Sequence, residues 1–197
     1  MLKEKLTNYK IILASASPRR QQFFKDLHIP FEVRLKPIEE IYPDTLVHSQ
    51  ISDYLAQLKA IPFKDELSEN ELLITSDTIV WHNGTALGKP RNNDEAFVML
   101  KSLSNATHEV ITSVNFKKGA AQKTVHAITN VTFKTLSEEE IWFYIKNYKV
   151  LDKAGAYGIQ DWIGNIAVTH IEGSYFNVMG LPTHLVYETL KDLDLSL

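Results

Sequence analysis

The feature that most constrains the fold is an apolar run near the start of the chain, followed at once by a small-residue loop and a helix signal. Ile11 to Ala14 is typical of a buried strand, residues 15–17 of a tight loop, and Pro18 of the first residue of a helix. Proline suits that position because its missing N–H would have no helical partner there, and Ser17 before it is a good cap. The pattern predicts a strand–loop–helix unit.

The same unit brings anion-binding groups together. The hydroxyls of Ser15 and Ser17, the N–H groups of a helix start and the guanidinium groups of Arg19 and Arg20 converge on one spot. Helix N-termini and arginines both bind phosphate well. Serine-capped turns are common, however, and paired arginines usually lie in solvent. Local chemistry therefore leaves a phosphate site and an ordinary turn both open.

Length, charge and composition exclude several classes of protein. A chain of 197 residues suits one α/β domain or two small lobes. A net charge of −3 argues against long nucleic acid as a partner but permits a small anionic ligand. The lack of cysteine excludes disulfides and thiolate metal sites. The first residues are too polar for a signal peptide, and no apolar run approaches about 18 residues, so we expect a cytoplasmic protein without a membrane partner.

Helical and strand patterns alternate along the chain. Apolar spacing and caps predict helices at residues 18–27, 47–60, 94–103, 137–145 and 182–193. Apolar or alternating runs predict strands at residues 11–14, 31–35, 72–75, 79–81, 86–87, 109–117, 122–134 and 163–171, with a hairpin turn at Asn83-Gly84. We expect a mixed β-sheet flanked by helices, in one domain over residues 1–197, with two lobes enclosing a cleft.

Four charged residues are candidates for chemistry. Asp77 follows an apolar strand, and at a strand end it can hold Mg²⁺ or take a proton from water. Taken alone, it is explained more simply as a turn-forming residue. Glu40 becomes a second metal ligand only if it lies beside Asp77. Lys59 and Lys89 are ordinary surface lysines by default and phosphate ligands if a polyphosphate site is present.

A glycine-rich segment at residues 152–160 ends in Gln160. Glycines let a backbone approach a ligand closely, and the Gln160 amide offers a donor and an acceptor suited to the edge of a base. A flexible connection between helix and strand is the alternative. The sequence contains no standard phosphate loop, dinucleotide fingerprint, zinc helix motif or nucleophile elbow. A phosphate enzyme built on this chain would need another scaffold.

Taken in order, these segments resemble the Maf family of nucleoside triphosphate pyrophosphatases. The matching pieces span nearly the whole chain and are residues 13–20, 39–40, 55–56 with Lys59, 76–78, 88–90, 99–104, 108–112, 152–160 and 173–182. The resemblance implies a mixed α/β fold like that of the inosine triphosphatases, with a deep cleft and often a homodimer. It also implies hydrolysis of nucleoside triphosphates to monophosphate and pyrophosphate with a divalent metal, Mg²⁺ or Mn²⁺.

The resemblance assigns roles to the charged residues. Asp77 falls on the family's catalytic acidic position, the proton acceptor, and Glu40 on its cleft glutamate, so that the two would hold the metal. Arg20, Lys59 and Lys89 fall on phosphate-binding positions. The implied reaction is attack of water on the α-phosphorus, with the basic residues stabilising charge on the triphosphate and the leaving pyrophosphate.

Three further positions point to one branch of the family. Arg19, Thr78 and Gln160 match the branch that looks like a dTTP/UTP pyrophosphatase, whereas the branch acting on 7-methyl-GTP has Trp, Gln and Glu there. Two positions depart from the pattern. Ser76 stands where the pyrimidine branch usually has Ala, and Asp161-Trp162 stands where a glycine is more usual. A tryptophan beside the base pocket would stack on a base or narrow the pocket.

Two other functions stay open at this point. A nucleotide-binding regulator of cell division would need the basic residues but not a carboxylate aimed at metal and water. A pyrophosphatase for modified nucleotides would use the same machinery with a pocket reshaped by Trp162. Release of pyrophosphate from dTTP or UTP separates these alternatives.

Overall fold

A computed structural model describes residues 2–192 of the chain. Within that range the strands are β1 Lys10–Leu13, β2 Glu32–Val33, β3 Glu71–His82, β4 Thr85–Leu87, β5 Thr107–Lys118, β6 Ala121–Phe133 and β7 Val168–Glu172. The helices are α1 Leu2–Lys5, α2 Pro18–Asp26, α3 Ser49–Leu58, α4 Asn93–Leu103, α5 Glu138–Asn147, α6 Trp162–Ala167, α7 Tyr175–Val178 and α8 Thr183–Asp192, with short 3₁₀ turns at Ile61–Phe63 and Ala154–Ala156.

The strands of this described range form one mixed sheet in the order β2-β1-β3-β5-β6-β7, and β4 pairs with β3. Strand β1 is parallel to β2 and β3, whereas the β3–β4 and β6–β7 pairs are antiparallel. The predicted mixed sheet flanked by helices is confirmed.

The chain divides into two compact units. Of the described residues, the first unit comprises 2–77, 112–127 and 180–192, and the second comprises 78–111 and 128–179. Strands β3, β5 and β6 each supply residues to both.

The first unit is built on the parallel strands β1, β2 and β3. The register sets Lys10 opposite Glu71 and Leu13 opposite Ile74. Helix α2 begins as its sequence predicts, with Pro18 in the first turn and the Ser17 hydroxyl accepting the N–H of residue 20 at 3.4 Å. A small apolar core in this unit joins β1 and β3 to the segment that follows α3. Its buried residues are Ile12, Leu73, Ala60 and Phe63.

The second unit contains the hairpin, α4 to α7 and an apolar core of its own. Asn83 and Gly84 both have positive φ, 49° and 75°, as a two-residue hairpin turn requires. Asn92 caps α4 by accepting the Glu95 N–H, and Ser137 with Glu140 forms the predicted capping box of α5. Local polar signals therefore define these element starts correctly.

The predicted strand at residues 163–171 is wrong. Residues Trp162–Ala167 form α6, and only Val168–Glu172 is a strand. Ile163 and Ala167 are buried one helical turn apart. Gly164 permits this turn because a Cβ there would lie 1.8 Å from the carbonyl oxygen of Ile159.

Other element boundaries also differ from the prediction. Residues 76–78, expected to interrupt a strand, lie inside the continuous strand β3. The strand expected at residues 31–35 shrinks to β2, and the helix expected at residues 47–60 is confined to α3, with Pro62 in the 3₁₀ turn after it. Helices α1 and α7 were not predicted, and the predicted end of the last helix at residue 193 lies outside the described residues.

Candidate active site

Asp77 lies inside β3, not at a strand end as the sequence suggested, because β3 continues beyond its neighbour β1. Strand β1 ends at Leu13, opposite Ile74, and the next bond joins Ala14 N–H to the Ile74 carbonyl at 3.0 Å. Asp77 is three residues further along β3, level with the loop that follows β1. It is buried, with 6% of the residue exposed. In parallel sheets, ligands bind at this carboxyl edge of the strands.

The loop after β1 is held by its own serines. The Ser15 hydroxyl accepts the N–H of Ser17 at 3.3 Å, and the Ser15 carbonyl accepts from Gln21 Nε2 at 3.1 Å. Ser15 is buried, whereas Ser17 is half-buried at the start of α2. The two predicted phosphate-binding hydroxyls therefore already shape the loop and the helix cap.

Arg20 lies against the backbone beside Asp77. Its Nε donates to the carbonyl of Gly180 at 2.8 Å, and one Nη donates to the carbonyl of Ser76 at 2.9 Å. Burial lowers the pKa of the Arg20 guanidinium, while the nearby Asp77 carboxylate acts in the opposite direction and Arg19 lowers it further. An arginine stays protonated under such shifts, so this cation is fixed beside the carboxylate. The sequence did not indicate that Gly180 accepts a bond from Arg20.

Lys59 joins the two predicted metal ligands. Its Nζ donates to Asp77 Oδ1 at 2.6 Å and lies 3.2 Å from Glu40 Oε1. The side chains of Lys59 and Asp77 are 16% and 8% exposed, whereas that of Glu40 is 40% exposed. Charge-assisted bonds of this length are among the stronger ones in proteins. Two carboxylates and one ammonium leave a net negative centre flanked by Arg20.

Ser76, one of the departures from the family pattern, is almost completely buried. Its Oγ has no hydrogen-bond partner among the described residues, while its carbonyl accepts from Arg20. The backbone of Ser76 thus supports the site, whereas its hydroxyl makes no hydrogen bond to a described residue.

Of the other predicted residues, Arg19 is half-buried in α2 of the first unit, and three residues belong to the second unit. They are Thr78, which is half-buried in β3, and Lys89 and Gln160, which are exposed. The Gly155 N–H donates to the Gly88 carbonyl at 3.0 Å, so the loop bearing Lys89 lies beside the glycine-rich segment that ends in Gln160. Gly155 has a φ of +66°, and a Cβ there would lie 2.8 Å from Val80. Glycine is required at that position.

Asp161, the second departure from the family pattern, anchors the segment that ends at Gln160. Tyr144 Oη donates to Asp161 Oδ2 at 2.7 Å and accepts the Gly158 N–H at 3.1 Å. Lys153 Nζ lies 3.8 Å from the same carboxylate. The polar residues placed between the glycines are the one sequence signal for this network.

Trp162 has a packing partner within the second unit. Its ring lies 4.7 Å from that of Phe143, with the two planes at 56°. The indole is half-buried against the apolar core of the unit. This contact gives Trp162 a structural role.

The chain belongs to the family of Maf-like proteins, whose sequence model matches residues 10–193. One relative, a dTTP/UTP pyrophosphatase of Flavobacterium johnsoniae, is 65% identical over 98% of this chain and 100% of the relative. Another protein of that name, from Christiangramia forsetii, is 52% identical over 98% of each chain. A solved structure, the Ham1 protein of Staphylococcus aureus, is 17% identical with a TM-score of 0.41 over 63% of this chain and 71% of that one.

Two further kinds of site are absent from the described part of the chain. Among residues 2–192, no group of three or more His, Asp or Glu side chains is placed to hold a metal ion. The helices described here are all too short or too polar to cross a membrane.

Proposed function

We propose that this chain is a nucleoside triphosphate pyrophosphatase that hydrolyses dTTP and UTP to the monophosphate and pyrophosphate. The observation that supports this most directly is the buried Asp77 carboxylate, which Lys59 contacts at 2.6 Å beside the guanidinium of Arg20. Relatives of similar length carry the name dTTP/UTP pyrophosphatase. A carboxylate among cations suits a reaction in which water attacks a phosphate.

The proposed reaction has one bond-forming and one bond-breaking event. The oxygen of a water molecule attacks the α-phosphorus, and the bond between that phosphorus and the bridging oxygen to the β-phosphate breaks. Asp77 takes the proton of the water, and the electron pair of the broken bond leaves with pyrophosphate. The geometry fits Asp77 for this task because its carboxylate is buried and held at one oxygen by Lys59.

The cations stabilise the charge that develops on the phosphates. An ammonium has three N–H donors, so a Lys59 that holds Asp77 and Glu40 retains one for a phosphate oxygen. Arg20 is fixed by two backbone carbonyls and contributes a cation whose position does not have to reorganise. We assign Lys89, with the Ser15 and Ser17 hydroxyls, to the phosphates, and Arg19, Thr78 and Gln160 to recognition of the nucleotide.

Glu40 and Asp77 fit a divalent cation. Carboxylate oxygens are the ligands that Mg²⁺ and Mn²⁺ prefer, and both carboxylates already converge on one cationic group, the Lys59 ammonium. Magnesium sites in phosphate enzymes often use one or two carboxylates, with substrate phosphates and water completing the shell. When bound, such an ion would neutralise phosphate charge and lower the pKa of a bound water.

The test is a panel of nucleoside triphosphates assayed for pyrophosphate release with Mg²⁺ and with Mn²⁺. We expect dTTP and UTP to be cleaved with the highest kcat/KM. Binding of these nucleotides without turnover would indicate a regulator instead. Preferential cleavage of a modified nucleotide would overturn the pyrimidine assignment while leaving the reaction intact.

A further inference from the structure

Helix α3, which ends beside Lys59, packs against strands β3, β5 and β6 through side-chain hydrogen bonds as well as apolar contacts. The polar groups come from one stripe of the helix and one face of the sheet, all within the first unit. On the helix they are Ser52, Asp53, the Ala56 carbonyl and Gln57; on the strands they are Thr75, Ser113, Asn115, Thr124 and His126.

The first link joins the end of α3 to β3. Thr75 is completely buried, and its Oγ1 donates to the Ala56 carbonyl at 2.6 Å. In a regular helix that carbonyl would accept the N–H four residues later, at Ala60. The Ala60 N–H instead donates to the Gln57 carbonyl at 2.9 Å. The Ala56 carbonyl has therefore lost its usual helical donor, and the Thr75 hydroxyl takes the place of that donor.

Three more bonds close a ring. Asn115 Nδ2 donates to Thr75 Oγ1 at 3.3 Å, and Thr124 Oγ1 donates to Asn115 Oδ1 at 3.1 Å. Gln57 Nε2 donates to Thr124 Oγ1 at 3.0 Å, and Gln57 follows Ala56 directly. Each donor in the ring faces an acceptor and all point the same way round, an arrangement in which hydrogen bonds reinforce one another.

A second polar contact anchors the helix nearer its start. Ser113 Oγ donates to Asp53 Oδ1 at 2.7 Å and lies 2.7 Å from Ser52 Oγ. His126 Nδ1 lies 3.1 Å from both oxygens of the same carboxylate. Directional hydrogen bonds therefore hold the helix both near its start and near its end. Hydrogen bonds have narrow limits of distance and angle, whereas apolar packing is non-directional.

We propose that Thr75, Asn115 and Thr124 are positioning residues that set Lys59 against Asp77. Thr75 and Asp77 are two residues apart on β3, so their side chains share a face, and Lys59 is three residues beyond Ala56. The Thr75–Ala56 bond thus joins the two backbone pieces that bear the acid and the ammonium. The consequence for catalysis rests on the function proposed above.

The kinetic test uses Thr75→Val, which keeps the shape of the side chain and removes the hydroxyl, and Thr75→Ser, which keeps the hydroxyl. We expect Thr75→Val to lower kcat/KM for UTP by roughly 10- to 100-fold, because small misplacements of an active-site group have effects of that size. Thr75→Ser restores activity. Ile141→Val, a substitution in the buried core of the second unit, controls for loss of core packing and leaves kcat/KM within about twofold.

A double-mutant cycle separates positioning from general weakening of the fold. In a Lys59→Met protein the ring has no ammonium left to position, so adding Thr75→Val lowers kcat/KM by no more than about twofold further. If Thr75→Val has its full effect in that background, the proposal is overturned. Should Thr75→Val fail to fold, Thr124→Val opens the same ring at a half-buried position and is put through the same cycle.

A measurement independent of turnover completes the test. Acetylation of lysine ε-amines is followed by mass spectrometry, with exposed Lys25 as internal reference. We expect Lys59 to react several-fold faster in Thr75→Val than in the unmodified protein or in Thr75→Ser. Equal rates in all three would overturn the positioning role. If the unmodified protein cleaves neither dTTP nor UTP, the proposed function fails, and the labelling still decides whether the ring positions Lys59.

Discussion

The Nζ atom of Lys59 lies 2.6 Å from Oδ1 of Asp77 and holds that carboxylate in a mostly buried position. The same ammonium lies 3.2 Å from Glu40, so one cation serves two carboxylates that are 37 residues apart in the chain, residue 40 to residue 77. Because Lys59 and Asp77 are shielded from solvent, the pair is screened less than a surface salt bridge. A divalent cation binding both carboxylates would take over part of this role.

Removal of the ammonium is therefore expected to make stability depend on metal. Lys59→Met leaves two neighbouring carboxylates without their shared cation, which we expect to cost about 1–3 kcal/mol of unfolding free energy. Millimolar Mg²⁺ raises the Tm of this variant more than that of the unmodified protein, as measured by calorimetry with and without EDTA.

The matched control for that experiment is Lys101→Met. Lys101 pairs with Glu138 at 3.1 Å, but both side chains are about half exposed or more, at 49% and 65%. Its loss is expected to change stability by less than about 1 kcal/mol, with no added response to Mg²⁺. An equal Mg²⁺ response of Lys59→Met and the unmodified protein would argue against a metal bound by Glu40 and Asp77.

Gln160 tests the recognition of the base. In Gln160→Glu the amide donor is lost, since an ionised carboxylate only accepts hydrogen bonds. We expect kcat/KM for UTP to fall by roughly 10- to 100-fold relative to kcat/KM for GTP. Gln122→Glu, an exposed position on β6, makes the same chemical change elsewhere and leaves the ratio unaltered. A parallel loss for UTP and GTP in Gln160→Glu would remove Gln160 from base recognition.

The parts of the fold that the sequence predicted are those with local signals. Pro18 with Ser17 marks the start of α2, and Asn83-Gly84 marks the hairpin, because cap and turn chemistry depend on neighbours in the chain. The strand wrongly predicted at residues 163–171 lacks such a signal. A short apolar run fits either a strand or a buried helix, and the close approach of Gly164 to Ile159 decides for the helix.

The assembled site was predictable only in part. Family resemblance named Asp77, Glu40 and Lys59, but their spacing in the chain does not reveal that Lys59 bridges both carboxylates. That contact depends on the extension of β3 past β1 and on the position of α3 over the sheet. The polar ring under α3, which is buried at Thr75 and Asn115, likewise joins three strands and a helix through residues that carry no distinctive signal one by one.

The ion pair between buried Glu71 and Arg34 in the first unit is expected to govern acid stability. Glu71 accepts two bonds from Arg34 at 2.8 and 3.2 Å, and these bonds lower the pKa of the Glu71 carboxyl to about 2 from an ordinary 4.5. Because the folded-state pKa is the lower one, this stabilisation is present above about pH 4.5 and is lost as the pH falls toward 2.

Glu71→Gln isolates that contribution. The variant is expected to be less stable than the unmodified protein at pH 7 by roughly 1–3 kcal/mol, and the difference shrinks as the pH falls from 4.5 toward 2. Urea unfolding at several pH values measures it. A constant difference across that range would show that the fold does not lower the pKa of Glu71.

Burial of neutral His108 is expected to lower stability as the pH falls below 6.5, a range that begins above that of Glu71. It lies in the second unit, bonded through Nε2 to Tyr157 Oη at 2.7 Å, and burial lowers its pKa to about 3 from an ordinary 6.5. Below pH 6.5 the unfolded chain binds a proton that the folded chain does not, so stability falls with decreasing pH by up to about 1.4 kcal/mol per pH unit.

His108→Gln keeps a hydrogen-bonding group and removes the titration. Between pH 6.5 and 4.5 we expect its unfolding free energy to depend less on pH than that of the unmodified protein. His170→Gln, an exposed position on β7 in the same unit, should retain the original slope. Identical slopes for the unmodified protein and His108→Gln would contradict a neutral buried histidine.

The most direct test of the proposed active site is pyrophosphate release from dTTP and UTP by the unmodified protein and by Asp77→Asn, in Mg²⁺ and in Mn²⁺. We expect turnover in the unmodified protein and a loss of about 10²- to 10⁴-fold in kcat in Asp77→Asn, with both proteins folded by circular dichroism. Asp65→Asn, an exposed carboxylate in the same unit, leaves kcat unchanged. Full turnover by a folded Asp77→Asn protein would contradict the assignment of Asp77 as the group that takes the proton from water.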